Sequence, residues 1–357
     1  MKVLMVVPSL RKTGVTEVIK SLILENNKEK KVEYELVALR EGYPEQEKVF
    51  EDLVKLHVFP SKTIFSLSQV SQLNKLIKRS KPDIIHFHGF NSEIYIPWIK
   101  TNDAKIMVTA HNMGKEDFTF TYGNVIGLVM SLIQRKIYKK IDLLVCVSNT
   151  VNEHYQHLGF KKIVTIYNGV SLPNNYDTEI RSKSHEVPVG IYVGNLDKRK
   201  NVDKLLVAFS KLKEQKLIIL GDNPKISEIL KKYKEKYSCS NIVFLGRVAN
   251  VYKYLEQADY FISASLAEGL PMAAIEAMGM NLDLVLSNIS QHKELKKYNK
   301  QDIIFFNKSN LDQTLKAYYK KWDKTHVSNN KEVFFTYFSS NVMYRNYVNE
   351  YENIVKK

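Results

Sequence analysis

Cysteine is nearly absent from this chain: two occur in 357 residues, Cys146 and Cys239. They stand far apart and form neither a metal-ligand nor a redox spacing. A disulfide-stapled fold, a zinc ribbon and a thioredoxin-like centre are therefore set aside, and free thiols in a reducing cytoplasm are expected. No apolar run approaches the ~18 residues of a membrane span. The N-terminal apolar run at 3–8 is too short for a signal peptide and lacks a small-residue cleavage site, so it reads as a first buried strand. Also missing are G-x-G-x-x-G, Walker A, G-x-S-x-G and C-x-x-C motifs. No Asp-x-Asp pair occurs, which removes the usual carboxylate clamp for a metal–nucleotide complex. There is no fixed-period repeat and no low-complexity tract.

Acidic residues are in deficit. The chain carries 53 Lys and Arg against 38 Asp and Glu, a formal net charge of +15. Such an excess suits nucleic acid, an anionic membrane face or phosphorylated substrates. No ordered set of aromatic and basic residues appears, so no nucleic-acid partner is expected. Lysine is scattered over helices as a solvated face, with two denser places at 74–81 and 132–140. The second follows the apolar stretch 125–130 and mixes a basic with an apolar face. That pattern fits an interfacial helix and equally an ordinary helix packed on a sheet.

The rest of the composition is ordinary and globular, with 44% hydrophobic residues, and the length implies two domains. Short apolar runs alternate with amphipathic stretches from end to end. Strands are expected at 3–7, 34–39, 83–88, 105–110, 143–147 and 163–166, with helices at 16–26, 45–56 and 67–80 among them. A polar segment at 171–186 is the best linker. Alternation then resumes with strands at 187–193, 217–220, 242–245, 260–264, 282–286 and 303–306, and helices at 202–213, 226–237 and 251–257. This order predicts an α/β protein of two Rossmann-like domains with parallel sheets. The expected boundaries are 1–170, a linker at 171–186, a second domain at 187–335 and a C-terminal helix at 336–357.

Sheets of this kind bind ligands at the carboxyl ends of their strands, so the loops after strands hold the candidates. The densest is 265–278, where Glu268 and Glu276 flank Pro271 with seven residues between them. Pro271 suits the first position of a helix. That helix is almost wholly apolar, where a lone carboxylate is costly unless paired. Free N–H groups at the helix start suit phosphate or hydroxyl oxygens. After the first strand, a loop with the single glycine Gly14 lets backbone approach a phosphate or merely connects. His86 lies within a strand and reads as a hydrogen-bonded core residue. His88 ends that strand, and His111 lies just past the next, where it is placed to face a ligand. No acidic or cysteine partner accompanies these histidines, so no metal is expected. Asn195 to Asn201 form a basic loop opening a helix. Its Lys198, Arg199 and Lys200 suit a diphosphate or form a solvated cluster.

These residues together resemble the GT-B glycosyltransferases of the group 1 family, GT4, which react with retention. The likeness covers nearly the whole chain and is strongest at 246–295. There Gly246-Arg247-Val248, Ser263-Ala264-Ser265, Glu268-Gly269-Leu270-Pro271, Glu276-Ala277-Met278 and the loop 287–295 follow in the family's order. Supporting matches are Pro8-Ser9-Leu10, Gly14, His88-Gly89, His111, Asn168-Gly169-Val170 and Gly221-Asp222.

The resemblance implies two domains facing a central cleft, a C-terminal helix crossing back to the N-terminal domain, and a nucleotide-sugar donor held by the second domain. Glu276 would bond the ribose, and Glu268 with the N–H groups of Gly269 and Leu270 the donor sugar. Arg247 and Val248 would border the base. Lys200 would meet the diphosphate, Gly14 would approach the phosphates, and His111 would face the sugar. Asn195 departs from the usual arginine, leaving Arg199 or Arg11 to substitute.

The expected activity is retaining, metal-independent transfer of a hexose or N-acetylhexosamine, most simply from a UDP-sugar, with no cofactor. The expected acceptor is a glycan or polyprenyl-diphosphate-linked glycan of bacterial-type surface polysaccharide or cell-wall synthesis. The expected site is the cytoplasm, including its membrane surface. The alternatives are a GT-B sugar-nucleotide epimerase and a non-catalytic partner subunit of another transferase.

Overall fold

The computed structural model describes residues 1–173, 186–222, 228, 240–307, 309–323 and 325–356. The chain divides into two compact units, Met1–Ser171 with Tyr337–Lys357, and Leu172–Thr336. Most of the expected linker at 171–186 and the helix expected at 226–237 lie outside the described residues.

The first unit holds a seven-stranded parallel sheet. Its strands are β1 (Lys2–Val7), β2 (Glu33–Ala38), β3 (Lys55–Val58), β4 (Ile84–His88), β5 (Lys105–Ala110), β6 (Leu143–Cys146) and β7 (Ile163–Thr165), in the order β3-β2-β1-β4-β5-β6-β7. Val3 to Val6 are fully buried, as expected of a parallel strand covered on both faces.

The single helix expected at 45–56 is instead a shorter helix, Pro44–Glu51, followed by edge strand β3. Buried Glu35 on β2 explains the difference. Its carboxylate takes Lys55 Nζ at 2.9 Å and His57 Nε2 at 3.0 Å from β3, and Lys2 Nζ at 2.7 Å from β1. Burial opposes ionisation of Glu35, but these partners outweigh it and hold its pKa at about 2. The strand is thus selected by a long-range partner, against local helical pattern.

The C-terminal helix, Ser340–Lys356, belongs to the first unit and packs on the Gly14–Glu29 helix. Its tyrosines recur at helical spacing and are buried, and their hydroxyls are also bonded. Tyr344 donates to Asn26 Oδ1 (2.9 Å), Tyr347 shares a bond with Thr109 Oγ1 (3.0 Å), and Tyr351 shares one with His86 Nδ1 (2.8 Å).

The second unit holds a six-stranded parallel sheet. Its strands are β8 (Val189–Val193), β9 (Lys216–Leu220), β10 (Ile242–Gly246), β11 (Tyr260–Ser263), β12 (Asp283–Ser287) and β13 (Ile303–Phe306), ordered β10-β9-β8-β11-β12-β13. Leu205 and Phe209 of the Val202–Lys211 helix pack with Leu217, Ile219, Ile262 and Val285 in its core. Strand order reverses between β1 and β4 in the first sheet and between β8 and β11 in the second. Loops leaving neighbouring strands diverge at such points and open a crevice. Among the described residues, no helix is long and apolar enough to cross a membrane.

Candidate functional site

The crevice of the second unit is built by the loops after β8 and β11. Three bonds tie them together. Leu266 N–H donates to the Arg199 carbonyl (2.8 Å), Asn201 Nδ2 to the Ala264 carbonyl (3.3 Å), and Arg199 Nη1 to the Ala267 carbonyl (3.1 Å). Within this frame Lys200 Nζ donates to Glu268 Oε1 at 2.5 Å and Arg199 Nη1 to Oε2 at 3.1 Å. Glu268 is buried. Burial by itself pushes its carboxyl up. The charges of Lys200 and Arg199, with bonds from Lys200 and Ser265, outweigh that and hold it below the ordinary value. Glu268 is therefore an anion that fixes two cations, and the trio carries net positive charge. Arg199 and Lys200 are engaged, whereas Lys198 is exposed and answers to the solvated reading.

Glu276 lies part-exposed on the Met272–Gly279 helix. Pro271 precedes that helix as its cap residue, one position before the place expected for it. Gly269 and Leu270 are buried in the turn between. Asn195 is exposed, and its carbonyl accepts from the Tyr192 hydroxyl at 2.9 Å. Arg247 is exposed and Val248 partly so, just after β10. The loops beside them turn on glycine. Gly221 has φ +153°, and a Cβ there would collide with the Gly194 carbonyl, so no other residue fits.

In the first unit, the loop after β1 leads into the Gly14–Glu29 helix, capped by reciprocal Thr13–Thr16 bonds. A Cβ on Gly14 would meet nothing within 4 Å, and φ there is not in the left-handed region. Neither strain nor protein packing requires a glycine at 14.

His86 is a satisfied core residue, bonded to Tyr351 and, through Nε2, to Thr109 Oγ1 at 2.8 Å. His88 Nδ1 lies 3.2 Å from His111 Nε2, so His88 backs His111, which is part-exposed past β5. Burial pushes His86 down to about 3 and His111 to about 4, so both are neutral near pH 7. His111 can accept or donate one hydrogen bond but carries no charge.

The arrangement brings Arg199, Lys200 and Glu268 together. Gly14 and His111 belong to the other unit. Two features had no individual role in the sequence reading. His292, on the Ser290–Lys296 helix, is fully buried, and its Nδ1 lies 2.8 Å from the Ser287 carbonyl. The Ser287 hydroxyl donates to the Ser265 carbonyl at 2.6 Å, bracing the turn that carries Glu268. Only the family likeness of 287–295 signalled it. The second is a cluster of Asp283, Asp302 and His326, whose ligand atoms lie within 4.8 Å of one another. It begins at the amino end of β12, whereas Glu268 follows the carboxyl end of β11. Its members already bond Tyr318 and Asn299.

Residues 13–173 match the family model described as Glycosyltransferase Family 4, and 187–320 that described as Glycosyl transferases group 1. The O-antigen biosynthesis glycosyltransferase WclY of Escherichia coli is 26% identical over 301 residues, covering 82% of this chain and 84% of that one. The E. coli UDP-Gal:alpha-D-GlcNAc-diphosphoundecaprenol alpha-1,3-galactosyltransferase is 24% identical over 272 residues, 71% of this chain and 70% of that one. The crystal structure of Anabaena HepE in complex with UDP superposes with a TM-score of 0.82 at 15% identity, covering 99% of this chain and 100% of that one. The two parallel-sheet units share the fold of that neighbour, and the two family models between them span both units: the chain belongs to the group 1, family 4 glycosyltransferases and has the GT-B fold.

Proposed function

We propose that this protein transfers a hexose or N-acetylhexosamine from a UDP-sugar, with retention and without a metal, to a lipid-diphosphate-linked glycan at an anionic membrane surface. The product would be a bacterial-type surface polysaccharide. The observation that carries this is Glu268 bonded at both oxygens by Lys200 and Arg199 from the adjoining loop. The relatives' named roles in O-antigen synthesis and on a diphosphoundecaprenol-linked acceptor support the acceptor class. The UDP in HepE supports the nucleotide.

In this reading the acceptor hydroxyl bonds to the sugar's anomeric carbon as that carbon's bond to the diphosphate oxygen breaks. The acceptor proton passes to the leaving diphosphate, and UDP departs. Negative charge grows on the diphosphate as the bond breaks. Lys200 and Arg199, held in place before reaction, stabilise it without reorganising, the role a divalent ion would otherwise fill. Glu268 keeps the cations oriented and accepts bonds from sugar hydroxyls. Glu276 takes the ribose, Arg247 and Val248 border the base, Gly14 leaves room for the phosphates, and neutral His111 bonds the sugar.

The test is incubation with UDP-glucose, UDP-galactose and their N-acetylamino counterparts plus an undecaprenyl-diphosphate-linked sugar, with and without EDTA. The anomeric proton coupling of the product reads the stereochemistry. An α-linked product insensitive to EDTA supports the reading. A β-linked product or an EDTA-abolished reaction overturns retention or metal independence. A free isomerised sugar nucleotide establishes an epimerase instead.

A further inference from the structure

The chain after β5 forms two consecutive helices, Gly114–Tyr122 and Asn124–Tyr138, joined at Gly123 with φ +84°. From Phe118 to Gln134 there are seventeen residues without a charged side chain. In an ordinary surface helix the apolar stripe faces the core. Here the arrangement is reversed. The buried positions of the second helix are Gly127, Ser131, Gln134, Ile137 and Tyr138. Its large apolar side chains Val125, Ile126, Leu128, Val129, Leu132 and Ile133 are all exposed, from 45% to 78%. Phe120 and Tyr122 of the first helix are exposed too.

The reversal is locked in place. A Cβ at Gly127 would lie 2.7 Å from the Thr119 backbone nitrogen, so glycine is what allows the two helices their close approach. Gln134 Nε2 donates to Glu93 Oε2 (3.2 Å) and to the Tyr138 hydroxyl (2.9 Å), and the Tyr155 hydroxyl donates to Gln134 Oε1 (3.1 Å). Rolling the helix to hide its leucines would break these bonds and press Gly127's neighbours apart. An exposed apolar surface of this extent marks an interaction site.

Charge identifies the partner. The last turn of the helix carries Arg135 and Lys136, and Lys139 and Lys140 follow it; all but Arg135 are exposed, and Lys115 stands exposed near the start of the pair. Glu116 is the exposed acidic residue there. An apolar face bordered by cations matches the boundary between acyl chains and anionic headgroups. A second copy of this chain would bring the same cations, on a molecule of net charge +15, against them. We propose that the 118–140 segment is the membrane-docking surface, lying in the plane of an anionic bilayer with its apolar side chains inserted and its terminal lysines at the headgroups. This rests on the membrane-surface reading above and deepens it by assigning the element that docks.

The experiment is co-sedimentation of the full chain with phosphatidylcholine vesicles and with vesicles containing about one-third phosphatidylglycerol, without donor or acceptor. Wild type is compared with V125S/V129S/L132S and with R135Q/K136Q/K139Q/K140Q. Wild type is expected to bind the anionic vesicles at least tenfold more tightly than the neutral ones. The serine variant should lose at least tenfold on anionic vesicles while keeping the wild-type Tm, and the glutamine variant should lose the preference for anionic lipid. Undiminished binding by the serine variant overturns the proposal in favour of diffuse adsorption of a basic protein. A wild-type dimer in light scattering that the serine variant abolishes, with no vesicle binding, overturns it in favour of a second copy. Transfer to a water-soluble acceptor analogue reads the chemistry separately, so failure to bind vesicles and failure of the transferase reading are distinguishable.

Discussion

Replacing Glu268 with Gln keeps the shape of the side chain and removes one charge from between two cations. Lys200 Nζ stands at 2.5 Å and Arg199 Nη1 at 3.1 Å. At an effective dielectric near 20, each such pair is worth about 5–7 kcal/mol gross. Desolvation offsets most of this, and the cation side chains retain 19% and 27% exposure, so water recovers part of what the carboxylate supplied. The net loss is about 2 kcal/mol, or about 4–8 °C in the melting temperature of a domain of this size. Catalysis should suffer more. With the cations no longer held, preorganised stabilisation of the leaving diphosphate is lost, and kcat should fall by about 10²-fold or more. UDP affinity should stay within about threefold, because the freed cations still face an anion. Calorimetric titration with UDP, thermal melts with and without UDP, and single-turnover rates measure these separately. A tenfold loss of UDP affinity that accounts for the whole drop in kcat/KM would refute the division of labour. Unchanged melting temperature and kcat would show that Glu268 does not hold the two cations in place for catalysis.

The other predictions separate nucleotide, phosphate and proton. Glu276→Gln should weaken UDP binding by about 10- to 100-fold, the worth of a charged hydrogen bond to ribose, with little change in kcat at saturating donor; calorimetry decides. Gly14→Val places its Cβ in open space, so the melting temperature should hold while the donor KM rises about tenfold; a fall in melting temperature instead would make the glycine structural. Burial raises Glu93 to about 7 from the ordinary 4.5. The folded state then binds the extra proton, so this group's contribution is full below pH 4.5 and is lost as pH rises through 7, up to roughly 3 kcal/mol. Glu93→Gln should remove that slope and be more stable than wild type at pH 8 in urea titrations; parallel pH profiles for the two would refute it.

Fold and site were legible in the sequence to different depths. Parallel strands buried on both faces must be apolar throughout, so β1, β5 and β8 stand out in any reading. β3 did not, because Lys55-Leu56-His57-Val58 has no such run and becomes a strand only when Glu35 collects Lys55 and His57. Glu268 was marked by its turn before Pro271, and Glu276 by the cost of a carboxylate on an almost wholly apolar helix. Lys200 and Arg199 looked like one more basic loop.

What the sequence determined by itself is therefore periodic and local: the alternation that builds two parallel sheets, the loops at strand ends, and two carboxylates around a proline-started helix. The tertiary structure decided which distant groups meet. Glu268 and Lys200 are 68 residues apart in the chain and touch because strand order reverses between β8 and β11. His86 and Tyr351 are 265 apart and bond because the last helix packs on the first unit. The same holds for the 124–138 helix, whose pattern could not say which side is buried. Gly127, Ser131 and Gln134 settle it, since only a small, hydrogen-bonding stripe fits against the neighbouring helix and Glu93, and its leucines are left facing out.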